Sequence, residues 1–344
     1  MIKKFIASAV GKEDLTEDEA YQAMGILMQG GATPAQMGSF LTAMRMKGET
    51  VQEVTGFARS MREKSIRICP KSNGRDGSGM IVDTCGTGGD GQGTFNISTT
   101  VAFVVAGGGL TVAKHGNRSV SSQCGSADVL EALGVNIALS PDLVQLCLVE
   151  VGLAFLFAPT FHPAMKHALA PRKEIAIRTV FNLLGPLTNP AGAHAQVVGV
   201  YRDDLTQPIA EVLKNLGCLG AFVVHGEDHC DEISITGKTR VSHLWKGEIS
   251  TYEIQPEDFD LKRSSLEEIR GGTAEKNAQI LHDVLSGALG PRRDVVLLNA
   301  SAAFVAAEKT SDLREGMEMA RKSIDSGKAI KKMKELVRFT NQGR

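Results

Sequence analysis

A chain of 344 residues, 42% hydrophobic and 22% charged, has the composition of a soluble globular protein of one large or two ordinary domains. Its net charge of −1 leaves no basic field to hold nucleic acid, and its longest apolar run, Val101 to Ala106, falls far short of the ~20 residues of a membrane span. The N-terminal apolar run is too short for a signal core, and six cysteines without C-x-x-C spacing point to reduced thiols in the cytoplasm.

The first seventy residues read as helical. Thr16–Glu19 and Thr50–Glu53 have the form of capping boxes, and Thr33-Pro34 places proline at a first helical position. Ala23, Ile26 and Leu27, then Met37, Phe40, Leu41 and Met44, recur at helical spacing; Gly30-Gly31 and Gly48 supply the stops. Met24, Met28, Met44 and Met46 fit either a core or an exposed subunit interface. The polar, glycine-rich segment Lys71 to Gly79 then marks a domain boundary.

From residue 80 onward, short β-branched runs alternate with helices. Strands are expected at Met80–Asp83, Leu110–Ala113, Phe155–Phe157, Gln196–Tyr201, Ala221–His225 and Val295–Asn299. Helices are expected at Ile97–Ala106, Ala127–Leu133, Pro141–Val151, Leu205–Leu216, Thr273–Ser286 and Ser301–Ala307. This alternation implies a mainly parallel central sheet covered by helices. The stretch from Pro163 to Leu184 is helical again, broken by Pro171, and is expected to pack with the N-terminal helices. The fold class is therefore α/β: a small all-helical domain (1–70, completed by about 163–188) beside a large α/β domain (71–162 and 189–344), with substrates between them.

Residues 83–126 carry two glycine- and hydroxyl-rich turns, each after an expected strand. Such turns present backbone N–H groups, and where they open onto helices they favour anions. Gly86–Gly91 matches G-x-G-x-x-G, but the next strand ends in Lys114 rather than the acidic residue a dinucleotide site needs. No Gly-Lys-Ser/Thr closes the run, which removes the P-loop reading. Thr94, Asn96, Ser98 and Thr99 follow at once as donors and cap residues, so a plain surface loop is disfavoured and a diphosphate cradle remains. Asp90 is expected to hold the loop or to face a metal or a ribose hydroxyl. The second turn, Lys114 to Ser122, combines a lysine, an arginine and three serines, a composition suited to a phosphosugar.

With GTGGD at 86–90, TFNIST at 94–99, KHGNRSVSS at 114–122, CGSADVLEALGV at 124–135, FAPTFHPAM at 157–165 and RTVFNLLGPLTNP at 178–190, in that order, the chain resembles the anthranilate phosphoribosyltransferases along essentially its whole length. The resemblance implies the nucleoside phosphorylase/phosphoribosyltransferase-like fold, and transfer of a 5-phosphoribosyl group from 5-phosphoribosyl 1-diphosphate to anthranilate, with Mg²⁺. It also implies that Gly86, Gly89, Asp90, Thr94, Asn96, Ile97, Ser98 and Thr99 contact the phosphoribosyl diphosphate. So would Lys114, His115, Gly116, Asn117, Arg118, Ser119, Val120, Ser121 and Ser122, with Ser126 capping the following helix. Asn117 and Arg172 would hold anthranilate, with Gly86 and His115 nearby, and Ser98, Asp231 and Glu232 would hold magnesium. The family is usually a homodimer through the helical domain. An aromatic amine attacking a developing cation needs little base, so no dedicated acid or base is expected; leaving-group electrostatics and positioning carry the rate.

Two departures stand out. The family commonly reads Gly-Leu before the Asp-Glu pair, where this chain has His229-Cys230; and it usually reads Pro-Val-Arg-Lys-Glu-Leu-Gly where this chain has Ala170 to Ala176, keeping Arg172 in register but replacing the final glycine. His225, His229 and Cys230 make only a weak zinc pattern. A nucleoside phosphorylase of the same fold is the enzymatic rival. A non-catalytic nucleic-acid-binding relative should be basic and lack the Asn117/Arg172 pair.

Overall fold

Threonines start three of the four helices that open the chain: α1 (Ile2–Val10), α2 (Glu17–Met28), α3 (Pro34–Lys47) and α4 (Val51–Lys64). Thr16, Thr33 and Thr50 each accept the N–H of the third helical residue, and the side chains of Glu19, Gln36 and Glu53 reach back to the cap. The computed structural model describes residues 1–69, 79–119 and 123–342. Val120, Ser121 and Ser122 of the second turn, and nearly all of the Lys71–Gly79 boundary, lie outside the described residues.

The large unit runs β1 (Ile81–Gly86), α5 (Ile97–Gly107), β2 (Thr111–Gly116), α6 (Ser126–Ala132), α7 (Pro141–Glu150), β3 (Leu153–Phe157) and α8 (Ala158–Phe161). After α9 (Lys166–Ile175) and α10 (Phe181–Leu187) it continues with β4 (Ala195–Gly199), α11 (Thr206–Asn215), β5 (Gly220–Gly226), β6 (Thr239–Trp245) and β7 (Glu248–Ile254). It closes with α12 (Ala274–Leu285), α13 (Pro291–Ala306), α14 (Leu313–Asp325) and α15 (Lys328–Thr340). Helix α9 packs on α2 and α3, as expected. Pro171, however, lies inside α9; the break falls at Ala176, a left-handed residue with φ of 49°.

The seven strands form one sheet in the order β3-β2-β1-β4-β5-β6-β7, parallel from β3 to β5 and antiparallel in the β6–β7 hairpin. The hairpin was not expected from sequence, and the expected strand Val295–Asn299 is instead the middle of α13, continuous with the helix expected at Ser301–Ala307. Nearly every residue of α13 from Arg293 onward is buried, so its sequence shows an unbroken apolar run rather than a helical stripe.

Two apolar cores flank the sheet. On one face α5, α12, α13, α14 and α15 cover the strands; on the other, α11 joins Val198 and Val223 of the sheet to Phe57 and Met61 of the helical unit. Met24, Met28 and Met44 are buried in this second core, whereas Met46 is exposed. Among the described residues no helix is long and apolar enough to cross a membrane.

Strand order fixes where a ligand fits. From β1 the chain moves outward through β2 to β3, then returns to add β4 on the other side of β1. The β1/β4 pair is therefore the switch point, where loops leaving the carboxyl ends diverge and open a crevice.

Candidate active site

At this crevice two glycines lie side by side, Gly86 ending β1 and Gly199 ending β4. A β-carbon on Gly199 would stand 1.5 Å from the Asp231 carbonyl oxygen, and one on Gly86 would stand 2.3 Å from Asp231 Oδ2. The notch thus admits the loop after β5, which lays Asp231 and Glu232 across the strand ends. Gly88 N–H donates to Asp231 Oδ2 at 2.8 Å, and Ser98 N–H, in the first turn of α5, donates to Glu232 Oε1 at 3.2 Å. The carboxylate pair and the first glycine-rich turn, far apart in sequence, form one site.

Dense packing and mutual repulsion push these acids up. Asp231 is raised by burial and by Asp90; Glu232 is raised by burial and by Asp231, with Lys114 opposing. Asp90 accepts Gln92 N–H at 3.4 Å, a bond that steadies its own turn. Three carboxylates around a single lysine leave excess negative charge, and the oxygen-only donor set suits a hard divalent cation. Among the described residues no three His, Cys, Asp or Glu side chains make a metal cage by themselves.

Lys114 is not a surface charge. It is 3% exposed, and its Nζ donates to Thr84 O at 2.5 Å and to Ser98 Oγ at 3.3 Å, tying the end of β1 to the start of α5. Burial lowers its pKa, opposed by Asp83, Cys85 and Glu232. Thr99 and Ile97 are buried in α5 behind it, and Thr94 forms an isolated bridge with Arg270. Asn96 joins the two turns: its Nδ2 donates to Cys124 O at 3.2 Å, while its Oδ1 accepts from Asn277 Nδ2 at 2.9 Å.

The second turn is closed by Asp128, which accepts Ser119 N–H at 3.2 Å and Gly125 N–H at 2.8 Å. Gly125, not Ser126, caps α6; Ser126 is the first helical residue and its Oγ donates to Asn117 O at 3.2 Å. The resemblance implies Ser126 as the cap, but the helix begins one residue earlier than that, with the Gly125 N–H taken by the Asp128 carboxylate. Gly116 must be glycine here, since a β-carbon would lie 2.2 Å from Ser126 Oγ. Asn117 is exposed, and Arg118 pairs with Asp128 at 2.9 Å and with Glu131 across the turn.

His115 begins the other wall. Its N–H donates to buried Asp83 at 3.2 Å, its Nδ1 lies 3.2 Å from Gly185 O, and its ring centroid is 5.1 Å from that of His162. Burial holds His115 down to about 3 and His162 to about 4, and the Nε2 atom of each is buried without a partner among the described residues. Arg172, half-buried on α9, lies 4.9 Å from the Phe181 ring centroid and makes no ion pair among the described residues. Burial lowers its pKa. A second arginine, Arg178, whose sequence motif assigns it no role, donates to Gly89 O in the first turn. His225 Nδ1 is 2.7 Å from Val200 O, and its ring centroid is 6.0 Å from that of His229.

A helical bundle joined to an α/β unit, with a glycine-rich turn and a carboxylate pair at the switch point and a second turn after β2, is the architecture of a glycosyl transferase. Residues 3–65 match the glycosyl transferase family, helical bundle domain, and residues 78–330 match the glycosyl transferase family, a/b domain. The anthranilate phosphoribosyltransferase of Moorella thermoacetica is 57% identical, with 98% of each chain covered, and that of Citrifermentans bemidjiense is 54% identical, with 99% of each covered. Among solved structures, the Thermus thermophilus anthranilate phosphoribosyltransferase superposes with a TM-score of 0.91 at 44% identity, covering 98% of this chain and 99% of that one. The Saccharomyces cerevisiae enzyme in complex with PRPP and Mg gives 0.89 at 28% identity, covering 98% and 97%. The chain belongs to the anthranilate phosphoribosyltransferase family.

Proposed function

We propose that the protein transfers the 5-phosphoribosyl group of 5-phosphoribosyl 1-diphosphate to the amine of anthranilate, giving N-(5-phosphoribosyl)anthranilate and diphosphate, a step of tryptophan biosynthesis. The observation that carries this reading is the joining of Asp231 and Glu232 to the first glycine-rich turn at the switch point.

The amides of the Gly86–Gly91 turn, with Thr94 and the start of α5 (Asn96, Ile97, Ser98 and Thr99), cradle the diphosphate. Lys114 and the turn through Ser122 take the 5-phosphate and ribose. Asp231, Glu232 and Ser98 hold Mg²⁺, which supplies charge neutralisation for the departing diphosphate. As the anomeric C–O bond breaks, negative charge grows on the leaving group, and the preset amides and Lys114 stabilise it. Arg172 takes the anthranilate carboxylate and Asn117 its ring side, aligning the amine with the anomeric carbon. His115, held down to about 3, is too weak a base to matter, which supports a reaction without a dedicated acid or base. The amine proton leaves to solvent after the bond forms.

We further propose a cytoplasmic enzyme, since its cysteines are thiols rather than disulfides, and a homodimer formed through the helical unit, where Val10 of α1, Met46 of α3 and Leu169 of α9 are exposed on packed helices. The protein mixed with anthranilate, 5-phosphoribosyl 1-diphosphate and Mg²⁺ should consume anthranilate fluorescence. Phosphate-dependent nucleoside cleavage without this reaction would transfer the assignment to the phosphorylases.

A further inference from the structure

The first glycine-rich turn has little in its own sequence to hold one shape. Gly88, Gly89 and Gly91 sit at φ of 66°, 72° and 79°, and no side chain of the turn packs into a core. Glycine runs of this kind have the most conformational freedom to lose, so a cradle built from them must be clamped from outside. Thr87 N–H donates to the Gly199 carbonyl at 2.9 Å, and two side chains hold the glycines beyond it. Asp231 accepts Gly88 N–H, and Arg178 donates through Nη2 to Gly89 O.

The contact from Arg178 has directional consequences. The peptide is planar and trans, so fixing the Gly89 carbonyl fixes the opposite direction of the Asp90 N–H in the same plane. Arg178 is itself held: its guanidinium lies 4.2 Å from the Tyr201 ring centroid, on the segment after β4. Its Nη1 is buried without a partner among the described residues. A β-carbon on Gly89 would stand 2.7 Å from Arg178 Nη2, so the arginine fills the space that only a glycine leaves. The other cations of the crevice are placed elsewhere: Lys114 on Thr84 and Ser98, Arg118 on Asp128 and Glu131, Arg172 over Phe181.

We propose that Arg178 is a positioning residue for the phosphoribosyl diphosphate, holding the Gly86–Gly91 turn in its diphosphate-binding shape and adding positive charge beside it. This rests on the function proposed above.

The test is calorimetric binding of Mg²⁺-5-phosphoribosyl 1-diphosphate, and of Mg²⁺-diphosphate alone, to the full-length wild type, Arg178→Gln and Arg178→Lys, together with steady-state kinetics. Arg178→Gln should weaken both ligands and raise KM for the phosphosugar by roughly tenfold or more, while KM for anthranilate stays within roughly twofold. Arg178→Lys, which keeps a charge but not the planar fork, should fall between the two, and millimolar guanidinium ion should partly restore Arg178→Gln. A role in stability alone would lower Tm without this split and without rescue. Unchanged binding of both ligands in Arg178→Gln would overturn the proposal; if that variant does not fold, unchanged binding in Arg178→Lys overturns it instead. A wild type that binds the phosphosugar but never modifies anthranilate would overturn the proposed function while leaving the Arg178 comparison intact.

Discussion

Gly86 and Asp231 are shaped around one another: a β-carbon on the glycine would stand 2.3 Å from Oδ2 of the aspartate. The end of β1 is thereby fitted to a carboxylate from the loop after β5. Gly86→Ala should displace Asp231 from Gly88 N–H and lower kcat/KM for 5-phosphoribosyl 1-diphosphate on the order of a hundredfold. Kinetics alongside a melting curve check this; near-wild-type kinetics would show that the turn relaxes without moving the carboxylate.

Arg172 lies over the Phe181 ring, half-buried and without an ion pair among the described residues, and is the residue proposed above to take the anthranilate carboxylate. Arg172→Ala should raise KM for anthranilate by roughly ten- to a hundredfold, the range for a lost charge-assisted bond, and leave KM for the phosphosugar nearly constant. An equal rise in both would place the arginine on the phosphosugar or in the fold.

Asp231 and Glu232 repel each other and Asp90 when no cation stands between them. Asp231→Asn with Glu232→Gln should therefore raise Tm in chelator and abolish the further rise that Mg²⁺ and diphosphate give the wild type. The same variant should weaken magnesium-dependent turnover. Wild-type magnesium dependence in the variant would refute their assignment as ligands.

His115 and His162 are held neutral by burial, down to about 3 and about 4 from an ordinary 6.5. An unfolded chain binds protons on both as pH falls below about 6.5, while the folded protein resists. The stability this neutrality contributes is complete above the unfolded value and is lost as pH falls toward the folded values, at up to ~1.4 kcal/mol per pH unit for each ring. Denaturant melts of the wild type and of His162→Gln between pH 7 and pH 4 should show the shallower pH slope in the variant.

Both departures from the family's usual pattern fall on left-handed backbone. Ala176, which caps α9, has φ of 49°, and His229, just before the carboxylate pair, has φ of 65°. Each stands where the family usually has glycine. Ala176→Gly should stabilise the protein by roughly 1 kcal/mol, the relief of left-handed strain exceeding the added freedom of the unfolded chain. A lower Tm would show that the alanine side chain has packing worth keeping.

Much of this organisation is legible in sequence where local chemistry decides it. The threonine boxes at Thr16 and Thr50 start helices through bonds made within four residues, and the short apolar runs of the first five strands, β-branched in all but β3, stand out from the helical segments. Val295–Asn299 misleads because a helix buried all round loses its periodicity. The β6–β7 hairpin hides because its polar and exposed residues, such as Arg240 and Glu253, dilute the apolar signal at a sheet edge. At the site, the two turns are visible as composition, and Asp231-Glu232 needed the family pattern to separate it from surface charge. The clamp from Arg178 to Gly89 leaves no local mark: it spans 89 residues and only the packed chain brings its ends together.

The central claim is that diphosphate leaves the ribose as anthranilate attacks. Phosphorus NMR of 5-phosphoribosyl 1-diphosphate with the protein, Mg²⁺ and anthranilate follows it directly. Free diphosphate and a new phosphoribosyl resonance should grow in equal amounts, and neither should appear when anthranilate is omitted. Unchanged phosphosugar under these conditions, or diphosphate released just as fast without anthranilate, would contradict it.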